Sequence, residues 1–297
     1  MTNLLSQKLL KLHYINPLSW HKIHRLIKVI GDLDELLYCS AKEIAIQLNI
    51  KEASAIHLVN QYKKLQNTSM EEYYEQYQIH AIPYNSELYP DTLKLLYDPP
   101  GVLYVKGDLS LLNQKKKMAV IGSRAATNYS EEALKLLLPP LINEQFVIVS
   151  GLAKGADRLA HEATIQYGGK TIGVLGHGLF HCYPKVNEQL AKHMANEHLL
   201  ITEYPPYVGI QKWHFPARNR IISGLSQALI VTEAALKSGT LITTELALEQ
   251  GKDVFAVPGN IFSEQSRGTN KLIKEGAISV WDGYQILEEL QMFSSFR

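Results

Sequence analysis

The chain has 297 residues, enough for one large domain beside a small one. Its 46% hydrophobic content supplies a sizeable core and excludes an intrinsically disordered chain, while a net charge of +1 confines any nucleic-acid-binding face to a local patch. Cys39 and Cys182 are the only cysteines, which provides no disulfide framework and fits a reducing compartment. The N-terminal residues are too polar for a signal-peptide core. Leu134–Ile142 is apolar but short and broken by Pro139 and Pro140, so no membrane span is expected and the protein reads as cytoplasmic.

In chain order, residues 1–70 are predicted to be all helical. Apolar residues recur three and four apart through Leu4, Leu5, Leu9, Leu10 and Leu12, and again through Ile23, Leu26, Ile27 and Ile30. Gly31–Asp32 breaks the second helix, and Ser40 caps a third that carries Ile44 and Leu48. This layout resembles small helix-hairpin-helix or SAM-like modules, and packing is the expected role of the Gly31–Asp32 turn. Residues 71–117 form a bridging segment. It holds a helix over Glu71–Gln78, an edge-type strand over Ile79–Tyr84 and a short strand over Val102–Lys106, with turns at Tyr89–Pro90, Asp98–Gly101 and Gly107–Asp108.

From Met118 onward, in residues 118–297, the periodicity changes. Short apolar runs stand at Met118–Ile121, Phe146–Val149, Thr171–Leu175, Leu199–Thr202, Ala228–Val231, Val254–Val257 and Ile278–Trp281. Most of the intervals hold one helix with its loops. The pattern predicts an α/β domain with a doubly wound, mostly parallel sheet, all strand C-termini on one edge.

That edge carries the polar residues. The first strand ends in Gly122–Ser123–Arg124, the second in Ser150–Gly151 followed by Lys154, and the third runs on from Gly176 to Lys185. Arg218, Asn219 and Arg220 precede the strand ending at Thr232–Glu233, and a Ser238–Gly239–Thr240 turn follows. Glycine admits close backbone approach, and amides at helix starts favour phosphate oxygens. Arg124, Lys154 and Lys185 add positive charge at the same rim. Read by themselves, Arg218 and Arg220 could equally be solvated surface charges. Neither GxGxxG nor GxxxxGK[ST] occurs at these strand ends. No metal is expected, because His177, His181, Cys182 and His193 fit no common zinc spacing, and no organic cofactor is expected either. Phe180, Tyr183, Tyr204, Tyr207, Trp213 and Phe215 fall near the rim in sequence; packing is the expected role of Tyr183 and Phe215, while Phe180 and Trp213 could stack on bases.

Over residues 85–280 these motifs resemble the DNA-processing protein A family (DprA, also called Smf). The resemblance is carried by Tyr89-Pro90, Asp98-Pro99-Pro100, Leu103–Gly107, Val120–Arg124, Ser150–Asp157, Tyr183–Asn187, Phe215–Ile222, Val254–Gly259, Gly268–Ile273 and Gly276-Ala277. It implies an extended Rossmann-like fold that binds single-stranded DNA and catalyses nothing. It further implies protection of incoming strands in natural transformation (competence), loading of the recombinase RecA, and a homodimer. By motif, the DNA-binding set is Gly122, Ser123, Arg124, Ser150, Gly151, Lys154, Lys185, Arg218, Asn219 and Arg220, and the dimer surface includes Asn270, Leu272, Ile273 and Ile278. Two departures stand out. Phe180 replaces a usually acidic residue, and the chain ends shortly after Leu290, so the winged-helix module of some members is expected to be absent. The alternative is a nucleoside monophosphate phosphoribohydrolase of the LOG type, for which Ser238-Gly239-Thr240 with Glu245 is a loose echo.

Overall fold

The computed structural model describes residues 4–294, which form two compact units. The first takes the chain up to Lys106, together with His177–His181 and Thr202–Gly209. It contains α1 (Leu4–Ile15), α2 (Trp20–Ile30), α3 (Ala41–Leu48), α4 (Glu52–Lys64), α5 (Met70–Glu75), β1 (His80–Pro83), α6 (Asp91–Lys94) and β2 (Val102–Gly107). The three-and-four spacing becomes one shared core of Leu9, Leu12, Ile23, Leu26, Ile44, Leu48, Leu58 and Tyr62. Gly31 at φ 81 ends α2, and Ser40 starts α3 with a reciprocal capping box to Glu43. The intervening Asp32 accepts the Asp34 N–H and pairs with the nearly buried Lys8 at 2.5 Å, so this turn serves packing.

A second cluster joins Leu10 of α1 to Met70, Tyr74 and Ile79 and to Val102 and Tyr104 of β2, which pairs antiparallel with β1. The expected bridging segment is therefore divided: its part up to Lys106 shares a core with the helices, and Gly107 opens the second unit.

The second unit alternates strands and helices. In order they are β3 (Lys117–Ile121), α7 (Asn128–Asn143), β4 (Val147–Ser150), α8 (Ala156–Gln166), β5 (Thr171–Val174), α9 (Glu188–Glu197), β6 (Leu199–Thr202), α10 (His214–Leu225), β7 (Ala228–Val231), α11 (Gly239–Glu249), β8 (Asp253–Ala256), α12 (Arg267–Lys274), β9 (Ile278–Ser279) and α13 (Gly283–Ser294). The strands run parallel in the order β6-β5-β4-β3-β7-β8-β9. Strands β3 to β7 are buried along their whole length, which is why they read as unbroken apolar runs. The winding leaves β3 outward through β4, β5 and β6, then returns to the other side of β3 with β7. Such a reversal opens a crevice beyond the strand C-termini.

One local expectation changes. Helix α7 runs through Pro139 and Pro140 to Asn143. Each proline removes a hydrogen bond at a cost of about 3 kcal/mol. Leu134, Leu137, Leu138 and Leu141 are all fully buried against the sheet, and at about 1.5–3 kcal/mol for each leucine their burial outweighs that loss. Residues 214–225, in the interval between β6 and β7, form α10, whose first turn accommodates Pro216.

Two buried histidines are expected to make the fold acid-sensitive. His13 bonds the Tyr104 hydroxyl at 3.0 Å and His161 bonds Thr171 Oγ1 at 2.7 Å. Burial holds both imidazoles at about 3, against about 6.5 when unfolded. Below about pH 6.5 the unfolded chain binds protons that the folded chain refuses, so stability falls as pH drops toward 3. Each ring contributes up to about 1.4 kcal/mol per pH unit. The urea midpoint is expected to be lower at pH 5 than at pH 7.5, and His161→Gln to lessen the difference. Equal midpoints at the two pH values would contradict this reading.

Candidate nucleic-acid interface

A cleft of about 480 Å³ lies at the strand C-termini of the second unit, at the reversal between β3 and β7. Its lining includes Gly122, Ser123, Arg124, Ala153, Phe215, Asn219, Lys237 and the start of α11 at Ser238–Thr240. The strand-end geometry explains the composition. A Cβ on Gly122 would stand 2.5 Å from Ala156 Cβ and 2.7 Å from Thr232 Oγ1, so only glycine lets β3 turn there. Ser123 donates its N–H to the Glu233 carbonyl at 2.7 Å and accepts at its own carbonyl from Ala156 N at 3.0 Å. These bonds fix the loop that presents Arg124.

Arg124 is exposed, with its guanidinium carbon 5.7 Å from the centre of the Phe215 ring. That distance allows a cation–π contact. The Phe215 ring in turn lies 5.5 Å from that of Tyr183, which is 47% exposed. Two residues after Tyr183, the exposed Lys185 opens a short 3-10 turn, Lys185–Asn187. A continuous line of one cation and two rings thus leads from Arg124 to the segment that carries Lys185. Lys154 is also exposed, on the loop after β4. Trp213, at the start of α10, is 68% exposed.

Arg218 also lines the cleft, with Asp157, but is held differently from Arg124. It is only 4% exposed, and its Nη1 donates to the carbonyls of Gly151 and Val174 at the ends of β4 and β5, while Nε donates to Asn219 Oδ1 at 3.2 Å. A Cβ on Gly151 would lie 2.5 Å from both Arg218 Nη2 and Asp157 Oδ2, so Gly151 makes the space this guanidinium occupies. Burial pushes the Asp157 carboxyl above its ordinary range, against the pull of Arg218 and of the backbone N–H donors that Asp157 accepts. Ser150 is fully buried and donates its hydroxyl to the Val120 carbonyl at 2.6 Å, which cross-links β3 and β4. Arg220 is half-buried, its carbonyl accepting from Gln250 Nε2. The ten residues expected at the rim therefore divide into a cleft-facing or exposed set and a supporting set.

The Glu233 carboxylate is occupied in the fold. Glu233 is 1% exposed and accepts from Thr127 N at 2.7 Å, Thr127 Oγ1 at 2.9 Å and Ser130 Oγ at 2.9 Å. Glu245 is exposed on α11 and is not among the residues that line the cleft. Among the described residues, no group of three or more His, Cys, Asp or Glu side chains could hold a metal ion, and no helix is long and apolar enough to cross a membrane.

The four residues expected at a dimer surface lie on or beside α12. Asn270 clamps Gly259, donating to its carbonyl at 3.0 Å and accepting its N–H at 3.1 Å. Leu272 is buried, Ile273 is half-buried, and Ile278 packs on the main core. Lys237, Asp157, Glu233 and Asn187 belong to the site although the motifs assign them no role. The signal for Lys237 is its place between a strand end and the Ser238–Thr240 turn; the other three act through buried contacts.

Comparison with known proteins agrees with this architecture. The family described as DNA recombination-mediator protein A matches residues 80–291. The chain is 48% identical over 217 residues to DNA processing protein DprA of Bacillus subtilis, covering 73% of each. It is 45% identical over 218 residues to protein Smf of Escherichia coli, covering 73% of this chain and 58% of that protein. The X-ray structure of DNA processing protein A from Streptococcus pneumoniae superposes with a TM-score of 0.80 at 38% identity, covering 97% of this chain and 98% of the other. A Helicobacter pylori DNA processing protein A, whose structure concerns its single-stranded DNA binding mode, superposes with a TM-score of 0.65 at 32% identity, covering 72% and 96%. With the Rossmann-like sheet, the strand-end cleft and its glycine-framed Arg124 loop, these matches place the chain in the DNA recombination-mediator protein A (DprA/Smf) family.

Proposed function

We propose that this protein is a non-catalytic recombination mediator that binds single-stranded DNA at the strand-end rim of its second unit. In this reading it acts in the cytoplasm as a homodimer, protects incoming strands and delivers them to the recombinase RecA. The observation that carries the reading is the line from Arg124 through the Phe215 and Tyr183 rings to the Lys185 turn. Cations neutralise phosphates without reading sequence, and ring faces accept any base. The single-stranded DNA binding of the Helicobacter pylori relative supports the same ligand class.

Arg124→Ala and Lys185→Ala are each expected to weaken oligo-thymidine binding by roughly one to two orders of magnitude. The slope of log affinity against log salt should also fall by about 0.7 for each single-strand phosphate no longer neutralised. Fluorescence anisotropy at two salt concentrations measures both quantities, and unchanged affinity and slope in both variants would remove these residues from the interface. Arg218→Ala should instead lower stability, by about 3–5 kcal/mol in urea unfolding, because it leaves Asp157 buried without its counter-charge. A stable variant with a selective binding defect would make Arg218 a DNA contact. For the homodimer, Ile273→Asp tests the α12 surface more cleanly than a change at Ile278, which also serves the core. Light scattering should report a shift from dimer to monomer, and a dimer unaffected by Ile273→Asp would exclude this surface.

A further inference from the structure

The loop after β4 and the turn that carries Lys185 are far apart in sequence, yet one side chain holds them together. Asn187 is 1% exposed, and its Nδ2 donates to the Leu152 carbonyl at 2.9 Å and to the Ala153 carbonyl at 3.1 Å. Its backbone N–H closes the turn on Pro184 O at 3.0 Å. Leu152 takes φ 57, a left-handed conformation uncommon for a leucine, and is itself buried. Ala153 uses its N–H on Asp157 Oδ2 at 3.3 Å. In a trans peptide the C=O and N–H point in opposite directions. Anchoring the Ala153 carbonyl on Asn187 therefore turns the Lys154 N–H away from Asn187. Nδ2 has two hydrogens and serves two carbonyls, a task that an acceptor-only side chain of the same size cannot perform.

We infer that Asn187 is a positioning residue for DNA binding: it sets the spacing between Lys154 and Lys185 by fixing the loop of one to the turn of the other. The inference rests on the reading that these two lysines meet phosphates. A flexible chain places two cations at many separations, whereas successive phosphates require one. Asn187 supplies the constraint without touching DNA.

The test uses the full-length protein and a fluorescent oligo-thymidine. Asn187→Ala is expected to weaken binding about tenfold, the effect of misplacing one lysine so that its charge-assisted bond to a phosphate is lost, and to lower the salt slope by about 0.7. Affinity is read at a temperature where the variant is folded by circular dichroism. The decisive arm adds Asn187→Ala to the Lys154→Ala, Lys185→Ala double variant. If Asn187 acts through the two lysines, affinity in that background changes less than about threefold. A further tenfold loss there, or an unchanged salt slope in the single variant, overturns the inference while leaving the proposed function standing. If the lysine variants themselves bind normally, the cation row fails and this inference falls with it. Should Asn187→Ala not fold, Asn187→Ser, which keeps one donor, takes its place with the same criteria.

Discussion

The buried guanidinium of Arg218 is the interaction on which the rim depends. Parallel strands end in carbonyls that have left the ladder, and at the ends of β4 and β5 those of Gly151 and Val174 converge under α10. A buried carbonyl without a donor costs about 1–3 kcal/mol, and one planar cation satisfies both. Taking that cation out of water is itself unfavourable, and Asp157 beside it offsets the charge. The arrangement fits because residue 151 has no side chain. Helix α10 is thereby fastened to the sheet, and Phe215, one turn before Arg218, is held where Arg124 and Tyr183 meet it.

Around this strut the polar residues divide their work. Arg218, Asp157, Glu233, Ser150 and Asn187 are nine-tenths or more buried and bond to backbone or to neighbouring loops. Arg124, Lys154, Lys185 and Lys237 remain exposed. The inner group gives the loops one geometry, and the outer group meets solvent. Rigid presentation matters because ordering a long cationic side chain and its loop on binding would consume much of the contact energy. A near-neutral chain can accommodate such a patch because its charge is concentrated by loop placement.

The sheet is largely legible from sequence, since strands buried on both faces leave short apolar runs. The rim was legible as a set of loops and less so residue by residue. Arg124 and Arg218 look alike in sequence; their fates differ because two strand-end carbonyls wait above Gly151, a fact that exists only once β4 and β5 are side by side. Ser150 stands beside a glycine in a motif that suggests a ligand-facing residue, but it is the last residue of its strand and its side chain faces β3. Asn187 sits inside a recognisable motif and Glu233 at a strand end, with roles defined by partners 34 and 106 residues away.

Helix α7 carries a consequence for how the molecule assembles. With two consecutive prolines in its last turns, residues 128–143 cannot rely on their own backbone bonds to stay helical. Their order comes from the leucines seated on the sheet and from α13, whose first residue, Gly283, lies close against the Leu137 carbonyl and Pro140. The packing of this segment is therefore complete only with both the sheet that seats its leucines and α13 in place. A ribosome-bound nascent chain that stops short of residue 283 still lacks one wall of this core.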